Sequence, residues 1–217
     1  MGLFTDWLAK INEKAATQAG PLPEPMSNLE YILRTEAAAR KWQESGGYPV
    51  EGYRNTLRGL DVLKQATQGK PPFTGSIANI VPMPHHGSLR KFYELFFGES
   101  FGAYNPRERT IEVRGDLSPY DAFASAFHEG AGHSPAYHPG FKAYGVRKAL
   151  RGEHASDIVK QRYPYKPLDW PDETLALGLQ ELMSRKYWPD YRADESYLPQ
   201  SREERELIEQ YFKELGL

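Results

Sequence analysis

Along the first third of the chain, hydrophobic residues recur among polar ones with the period of a helix. In three stretches, apolar side chains recur every three or four residues, as they do on a helix that buries one face. These stretches are 3–18, 27–44 and 51–67. Glycine and proline residues separate them, and such residues usually mark breaks between elements. The pattern predicts a helical region over residues 1–70.

A different pattern follows, and it predicts a small sheet. Short apolar runs lie between prolines and glycines, which is typical of strands. Strands are predicted over 76–83, 101–104 and 109–114, with a turn at 105–108 between the last two. A short helix over 89–97 is predicted between the first strand and the second.

The last hundred residues again show helical spacing. Ser118 followed by Pro119 favours a helix start, because serine can cap the first free N–H groups and proline suits the first turn. Ser201 and Glu204 have the spacing of a capping box, in which each side chain satisfies the other residue's backbone N–H. Helices are predicted over 118–133, 154–162, 171–187 and 201–215, with 134–170 otherwise loop-rich.

The order of these elements predicts an α+β fold. N-terminal helices come first, a small mixed or antiparallel sheet follows, and helices complete the chain. We expect residues 1–70 to form an N-terminal helical region and residues 71–217 to form a domain that contains the sheet.

Composition narrows the chemistry that this fold can carry. The 217 residues include no cysteine and six histidines. Without cysteine, disulfide frameworks, thiolate zinc sites, iron–sulfur clusters and cysteine nucleophiles are excluded. Any metal site must therefore use histidine and carboxylate ligands.

Charge and hydropathy argue against nucleic acids and membranes as partners. The net charge of −2 argues against a nucleic-acid binder that depends on bulk positive charge. No apolar run approaches the roughly 18 to 20 residues that a membrane-spanning helix needs. The first 20 residues lack the basic start of a secretory signal. We therefore expect a soluble, intracellular protein that does not bind membranes.

The helix that begins at Ser118 ends in a run rich in metal-binding side chains. Residues 128–133 are HEGAGH, so two histidines stand five positions apart and a glutamate follows the first. Two imidazoles that face one side can hold an ion, and the adjacent carboxylate can take a proton from water bound to that ion. This predicts a metal site with His128 and His133 as ligands and Glu129 as general base. The alternative is a chance placement of histidines on a helix.

The five-residue spacing requires a local change in the helix. On a regular α-helix, residues four apart lie about 40° apart around the axis, whereas residues five apart lie about 140° apart. One inserted residue, as in a π-bulge, would return His128 and His133 to one face. Gly130 and Gly132 favour such a segment, because glycine tolerates unusual backbone conformations and close contacts.

The HEGAGH run resembles the H-E-x-x-H motif of zincin metallopeptidases. The longer spacing, with glycine before the second histidine, is similar to that of dipeptidyl peptidase III, a zincin family. The resemblance covers about residues 100–188 and implies Zn²⁺ as the cofactor. The resemblance includes residues 104–106 and 110–113, which precede the helix. In zincins, a strand in this part of the chain edges the active-site cleft and can pair with an extended peptide.

A zinc site of this kind needs a third ligand, and several residues are candidates. They are His138, His154, Glu153, Glu173 and Glu181. Metzincins use a third histidine six positions after the second, whereas His138 follows His133 by only five. Gluzincins instead take a glutamate from a following helix.

Residues 170–181 resemble such a glutamate helix. Their sequence, WPDETLALGLQE, is similar to that helix in zincin-like domains of phage structural proteins and mobile-element antirestriction proteins. By this resemblance, Glu173 is the third ligand, and Glu181 supports the ligands or lies on the helix surface. Glu173 also has a simpler explanation, since acidic residues are favoured in the first turn of a helix.

These features predict a zinc-dependent metallopeptidase of the gluzincin type that acts on a peptide or protein substrate. Two alternatives stay open. A catalytically silent zincin-like protein could use the metal only for stability, with a virion component or another protein as its partner. An antirestriction protein associated with DNA is the other, although the net charge of −2 argues against nucleic acid as a partner. The predicted location is cytoplasmic or virion-associated.

Several polar residues between the predicted ligands are candidates for substrate contacts. Tyr137, Tyr144 and His154 could hydrogen-bond the oxyanion of a hydrolysis intermediate, as could Tyr163. Residues of these types are more often packing aromatics or surface residues than substrate contacts. A small basic patch, for which a solvated face is the default interpretation, consists of Arg147, Lys148 and Arg151.

Overall fold

The computed structural model describes eight ranges of the chain, and all structural statements below concern these ranges. They are residues 50–66, 79–82, 101–105, 109–137, 139–164, 166–188, 190–192 and 196–217. Three predicted helices lie outside the described residues, namely 3–18, 27–44 and 89–97. The predicted domain boundary at residue 70 stays a prediction.

The described residues confirm the α+β class, with helices on both sides of a small sheet in the chain order. The strands are β1 (Asn79–Pro82), β2 (Gly102–Asn105) and β3 (Thr110–Val113). The first helices are α1 (Val50–Ala66), α2 (Pro119–Phe127), a π-helical segment (His128–His133) and α3 (Ser134–Ala136). The later ones are α4 (Lys142–Ala149), a 3-10 turn (Gly152–His154), α5 (Asp157–Arg162), α6 (Trp170–Tyr187) and α7 (Arg202–Glu214).

The three described strands form a mixed sheet in the order β1-β3-β2. β1 runs parallel to β3, and β2 runs antiparallel to it. In the antiparallel pair, Tyr104 lies opposite Ile111 and Gly102 lies opposite Val113. Ile111 and Val113 are fully buried, so the central strand anchors the sheet to the core and leaves β2 as an outer strand.

Helix α2 begins as its sequence predicts. The Ser118 hydroxyl accepts a hydrogen bond from the backbone N–H of Asp121 at 3.1 Å, and Pro119 occupies the first turn. The helix buries Phe123 and Phe127 completely in the main core. This packing fixes the direction in which the helix delivers the HEGAGH run.

Helix α1 belongs to the same core. Its Leu60 and Leu63 are buried against the cluster that contains the α2 phenylalanines. A Cβ atom at Gly59 would lie 2.0 Å from the carbonyl oxygen of Pro119, so only glycine lets the two helices approach this closely.

Two sequence predictions outside the site are wrong. Helix α4 lies within the stretch that was predicted to be loop-rich, because its buried positions, Ala143 and Val146, are too few to give a clear helical period. The capping box at Ser201 is not formed, since the serine side chain makes no cap hydrogen bond. The Glu204 carboxylate instead accepts hydrogen bonds from the backbone N–H of Arg151 at 3.2 Å and from His154 Nδ1 at 2.7 Å.

The described helices differ from membrane-spanning helices in hydropathy and length. None of them combines the length and the apolar character that crossing a membrane requires.

Candidate metal centre

The HEGAGH run forms the π-helical segment that its spacing requires. The N–H of Ser134 bonds to the carbonyl oxygen of Glu129, five residues earlier, which is the hydrogen bond that defines a π-helix. The wider turn brings both imidazoles to one side, and their Nε2 atoms lie 2.9 Å apart. Both histidines are buried.

Gly132 brings the next helix against this segment. A Cβ atom at Gly132 would lie 2.5 Å from both the Cα and the Cβ of Ala176 on α6. Real Cβ atoms essentially never approach other atoms so closely, so the contact requires glycine. Ala176 lies one helical turn after Glu173, and the close approach therefore carries the first turn of α6 to the histidine pair.

The three predicted ligands converge. Glu173 Oε2 lies 3.7 Å from His128 Nε2 and 3.8 Å from His133 Nε2. With the 2.9 Å separation of the two nitrogens, the point equidistant from the three atoms lies about 2.0 Å from each, which is the length of a zinc–nitrogen or zinc–oxygen bond. The group could therefore hold a metal ion, and it is the one such group found among the described residues.

The donor atoms fit an ion for a second reason. Glu173 Oε2 is buried and has no hydrogen-bond partner within the described residues. A buried carboxylate oxygen without a hydrogen-bond donor is costly, because the hydrogen bonds that it made with water are lost. An ion at the equidistant point supplies the missing interaction, and two imidazoles with one carboxylate suit zinc.

The buried carboxylates of the site also favour the binding of a cation. Burial alone would lower the pKa of His133, but the carboxylates of Asp172, Glu173 and Glu129 outweigh it and raise that pKa to about 10. Burial, aided by the charges of His133 and Arg162, holds the pKa of His128 well below its ordinary value. In the absence of a metal, a proton on His133 thus serves as the positive charge among these carboxylates.

Asp172 is a site residue that the sequence analysis missed. Its Oδ2 lies 3.2 Å from His133 Nδ1, on the side of the ring that faces away from the other ligands. The Tyr137 hydroxyl donates a hydrogen bond to the same carboxylate. A carboxylate behind a ligand histidine fixes the ring and its tautomer. The available signal was an acidic residue directly before Glu173, which on a helix points in a different direction from its neighbour.

Exchange of Asp172 for asparagine is expected to weaken zinc binding by about 10–100-fold, because the orienting charge behind His133 is lost. Competition with a chromophoric chelator measures the affinity. The matched control is Asp61→Asn, a carboxylate on the exposed surface of α1. Equal zinc affinity in the two variants would show that Asp172 does not support the site.

The other two ligands, His128 and Glu173, also form hydrogen bonds with neighbouring side chains. The Gln180 side chain hydrogen-bonds His128, and the Tyr163 hydroxyl donates a hydrogen bond to the Glu173 carboxylate. The backbone of Tyr163 is fixed in turn, because its carbonyl oxygen accepts a hydrogen bond from Trp170 Nε1 at 2.9 Å. Each ligand therefore has a supporting polar contact.

Glu129 is buried beside the ligands and next to the sheet. The backbone N–H of Tyr104 on β2 donates a hydrogen bond to its carboxylate. Burial, together with the charges of Glu173 and Asp172, raises the pKa of Glu129 to about 7, although His133 acts in the opposite direction. A carboxylate with a pKa near neutrality can both accept and release a proton.

Other predicted site residues lie elsewhere. His154 pairs with Glu204, and the Tyr144 ring contacts Arg147 and Lys148. The expectation for Glu181 is wrong, because this residue is 1 % exposed and neither supports the ligands nor lies on the surface. Its carboxylate accepts hydrogen bonds from the Ser196 hydroxyl and the Tyr197 N–H, and it also pairs with Arg185. Glu153 is exposed, and His138 lies outside the described residues.

Comparisons with known proteins do not add to this picture. No family model, no curated protein and no solved structure matches the chain. The interpretation of the site therefore rests on its geometry and chemistry.

Proposed function

We propose that this protein is a zinc-dependent peptidase. The observation that carries the proposal is the buried Glu173 Oε2, which has no hydrogen-bond partner among the described residues and completes a ligand triangle of zinc dimensions with His128 and His133. Glu129, the residue after the first ligand, supplies a buried carboxylate next to that triangle. Zincin-like metallopeptidases combine the same types of residue.

The number of ligands supports catalysis over a purely structural role. Structural zinc sites use four protein ligands, whereas catalytic sites use three and leave a position for water or substrate. Among the described residues, the converging group consists of two histidines and one glutamate. Asp172 is already engaged with His133 through its Oδ2.

In the proposed hydrolysis, Glu129 transfers protons and Asp172 orients a ligand of the metal. When bound, zinc lowers the pKa of a coordinated water and polarises the peptide carbonyl. Glu129 accepts the proton of the attacking water and later delivers it to the amine that leaves. Its pKa of about 7 suits both steps. Asp172 keeps His133 in the tautomer that exposes its Nε2 to the ion.

The sheet supports a peptide as the substrate. β2 is an outer strand of the described sheet, and its Tyr104 N–H bonds to Glu129. An extended peptide laid along an outer strand presents its carbonyl groups in a regular row. Such a substrate would pass close to Glu129 and the ligand triangle.

Metal content tests the site. Purified wild-type protein is expected to bind one equivalent of zinc, and His128→Ala is expected to bind none, as measured by elemental analysis after dialysis. His154→Ala is the matched control, because its imidazole lies outside the ligand triangle. Equal zinc in wild type and His128→Ala would remove the proposed site.

Hydrolysis tests the activity. Zinc-loaded wild type is incubated with a proteome-derived peptide library, and new termini are identified by mass spectrometry. Cleavage that a chelator abolishes and zinc restores is the expected result. Zinc that raises the melting temperature without any cleavage would instead assign the ion to stability alone.

A further inference from the structure

One stretch of the chain is strongly basic, although the protein as a whole is not. Residues 142–166 contain seven lysines and arginines but only two acidic residues, whereas the net charge of the chain is −2. This stretch forms α4, the 3-10 turn, α5 and the loop that leads to α6. It connects the histidine segment to the helix of Glu173, and two of its arginines lie close enough to the centre for their charges to act on site residues, Arg147 on Asp172 and Arg162 on His128.

The first basic residue near the centre is Arg147 on α4. Its guanidinium carbon lies 5.6 Å from the ring centre of Tyr137. The Tyr137 hydroxyl bonds to Asp172, which holds His133. A positive charge therefore lies two side chains away from a ligand, close enough to help lower the pKa of Asp172.

The second basic residue near the centre is Arg162, the last residue of α5. The next residue, Tyr163, hydrogen-bonds the ligand Glu173, and the charge of Arg162 acts on His128, so Arg162 lies close to the centre. Arg162 is exposed and lines a shallow surface depression together with Tyr197, Ile158 and Gln161. Its Nη1 lies 3.5 Å from the Tyr197 hydroxyl, so two hydrogen-bond donors face the same small space.

Among the described residues, four of these cations, which we call the rim, form no ion pair, whereas Lys142 pairs with Glu214. Within the described part of the chain, no ion pair involves Arg147, Lys148, Arg151 or Arg162. A divalent ion in the centre would balance two of the buried carboxylates, those of Asp172 and Glu173. The positive charge of the rim then remains available to a ligand.

We infer that the centre acts on acidic peptides, with Arg162 binding a substrate carboxylate in the depression that it shares with Tyr197. This inference rests on the proposed peptidase function and names its substrate class. A guanidinium and a phenol hydroxyl side by side can donate several hydrogen bonds to one carboxylate. The other rim residues, Arg147, Lys148 and Arg151, add a field that favours negatively charged peptides.

Two aromatic residues beside the rim, Tyr137 and Tyr144, favour a peptide over a nucleic acid as the ligand. Single-stranded nucleic acids bind largely by stacking their bases on exposed aromatic rings. The Tyr137 ring is covered by Arg147 and stacks with Tyr104 at 6.3 Å. The Tyr144 ring is covered by Arg147 and Lys148. In each ring, a cation already lies over the π system on which a base would stack.

A binding experiment tests the substrate class without requiring turnover. Zinc-loaded Glu129→Gln protein is titrated into a fluorescent peptide rich in glutamate, and into its twin with glutamine at the same positions, with anisotropy as the readout. We expect the acidic peptide to bind at least about tenfold more tightly, and Arg162→Gln to remove about tenfold of its affinity. The matched control is Lys186→Gln, an exposed cation near the far end of α6.

The outcomes separate this inference from the proposed function. Equal binding of the two peptides, or equal losses in Arg162→Gln and Lys186→Gln, overturns the inference even if the wild type cleaves the library. Selective binding of the acidic peptide without any cleavage by the wild type supports the acidic ligand class and overturns the hydrolysis. A single-stranded oligonucleotide that displaces the acidic peptide at lower concentration than the unlabelled peptide itself assigns the rim to nucleic acid and overturns the inference.

Discussion

Replacement of Glu129 by glutamine is expected to leave zinc in place and to lower peptide hydrolysis by about 10²–10⁴-fold, the usual contribution of a general base. Glutamine has nearly the same shape as glutamate, and its amide oxygen can still accept the hydrogen bond from the Tyr104 N–H. It cannot take a proton from water. The ligand triangle itself is not altered, because Glu129 is not one of its corners.

The same substitution has a predictable effect on stability. Burial raises the pKa of Glu129, which means that the folded protein disfavours its charged form. Above a pH of about 7, where the carboxylate is charged, a neutral amide removes that penalty. We therefore expect the metal-free variant to melt no lower than the metal-free wild type.

Three measurements check this prediction, namely zinc content, melting temperature and initial rate on a cleaved library peptide. Glu153→Gln is the matched control, since Glu153 is an exposed glutamate outside the ligand group. A Glu129→Gln protein that keeps both its zinc and its full rate would refute the assigned role of general base.

Alanine at Gly132 is expected to damage the metal centre from a position that donates no ligand. The new Cβ would lie 2.5 Å from the Cα of Ala176, so one backbone must move. Overpacking of this kind costs about 1–3 kcal/mol of the free energy of unfolding. Any movement of α6 also displaces Glu173, and zinc affinity is expected to fall by at least about tenfold.

Helix α4 provides a matched control for this substitution. A Cβ at Gly145 would meet no atom within 4 Å, and alanine is a better helix former than glycine by up to about 1 kcal/mol. Gly145→Ala should therefore keep its zinc and melt at the same or a higher temperature. If Gly132→Ala matches it in chelator competition and in thermal melting, the close contact with Ala176 does not hold the site together.

The sequence allowed the centre of this site to be predicted because its signals are local. The Ser118 start sets the phase of α2, and the spacing of His128 and His133 specifies the π-helical turn by simple helix geometry. The position of Glu173 followed from a resemblance of its helix, and the structure brings the residue to the histidines. Its assignment as a zinc ligand stays a prediction.

The surroundings of the site could not be predicted in the same way, because they depend on contacts between distant residues. Asp172 is significant only because α6 turns it toward His133, which is 39 positions earlier. Glu204 has the local spacing of a capping box, yet the imidazole of His154, 50 positions away, is its partner. In the sequence, Glu181 resembles a residue on a helix surface. In the fold, Ser196 and Tyr197 come from a later part of the chain and hydrogen-bond its carboxylate.

The ligand triangle has a further consequence for a chain that has no cysteine. An ion held there ties His133 to Glu173 and so closes a loop of about 40 residues. Closing a loop of that length by a covalent bridge removes entropy from the unfolded chain worth about 4 kcal/mol. Unlike a disulfide, this cross-link is reversible, and its contribution grows with the free zinc concentration relative to the dissociation constant. The supply of metal around the protein would then set the free energy of unfolding.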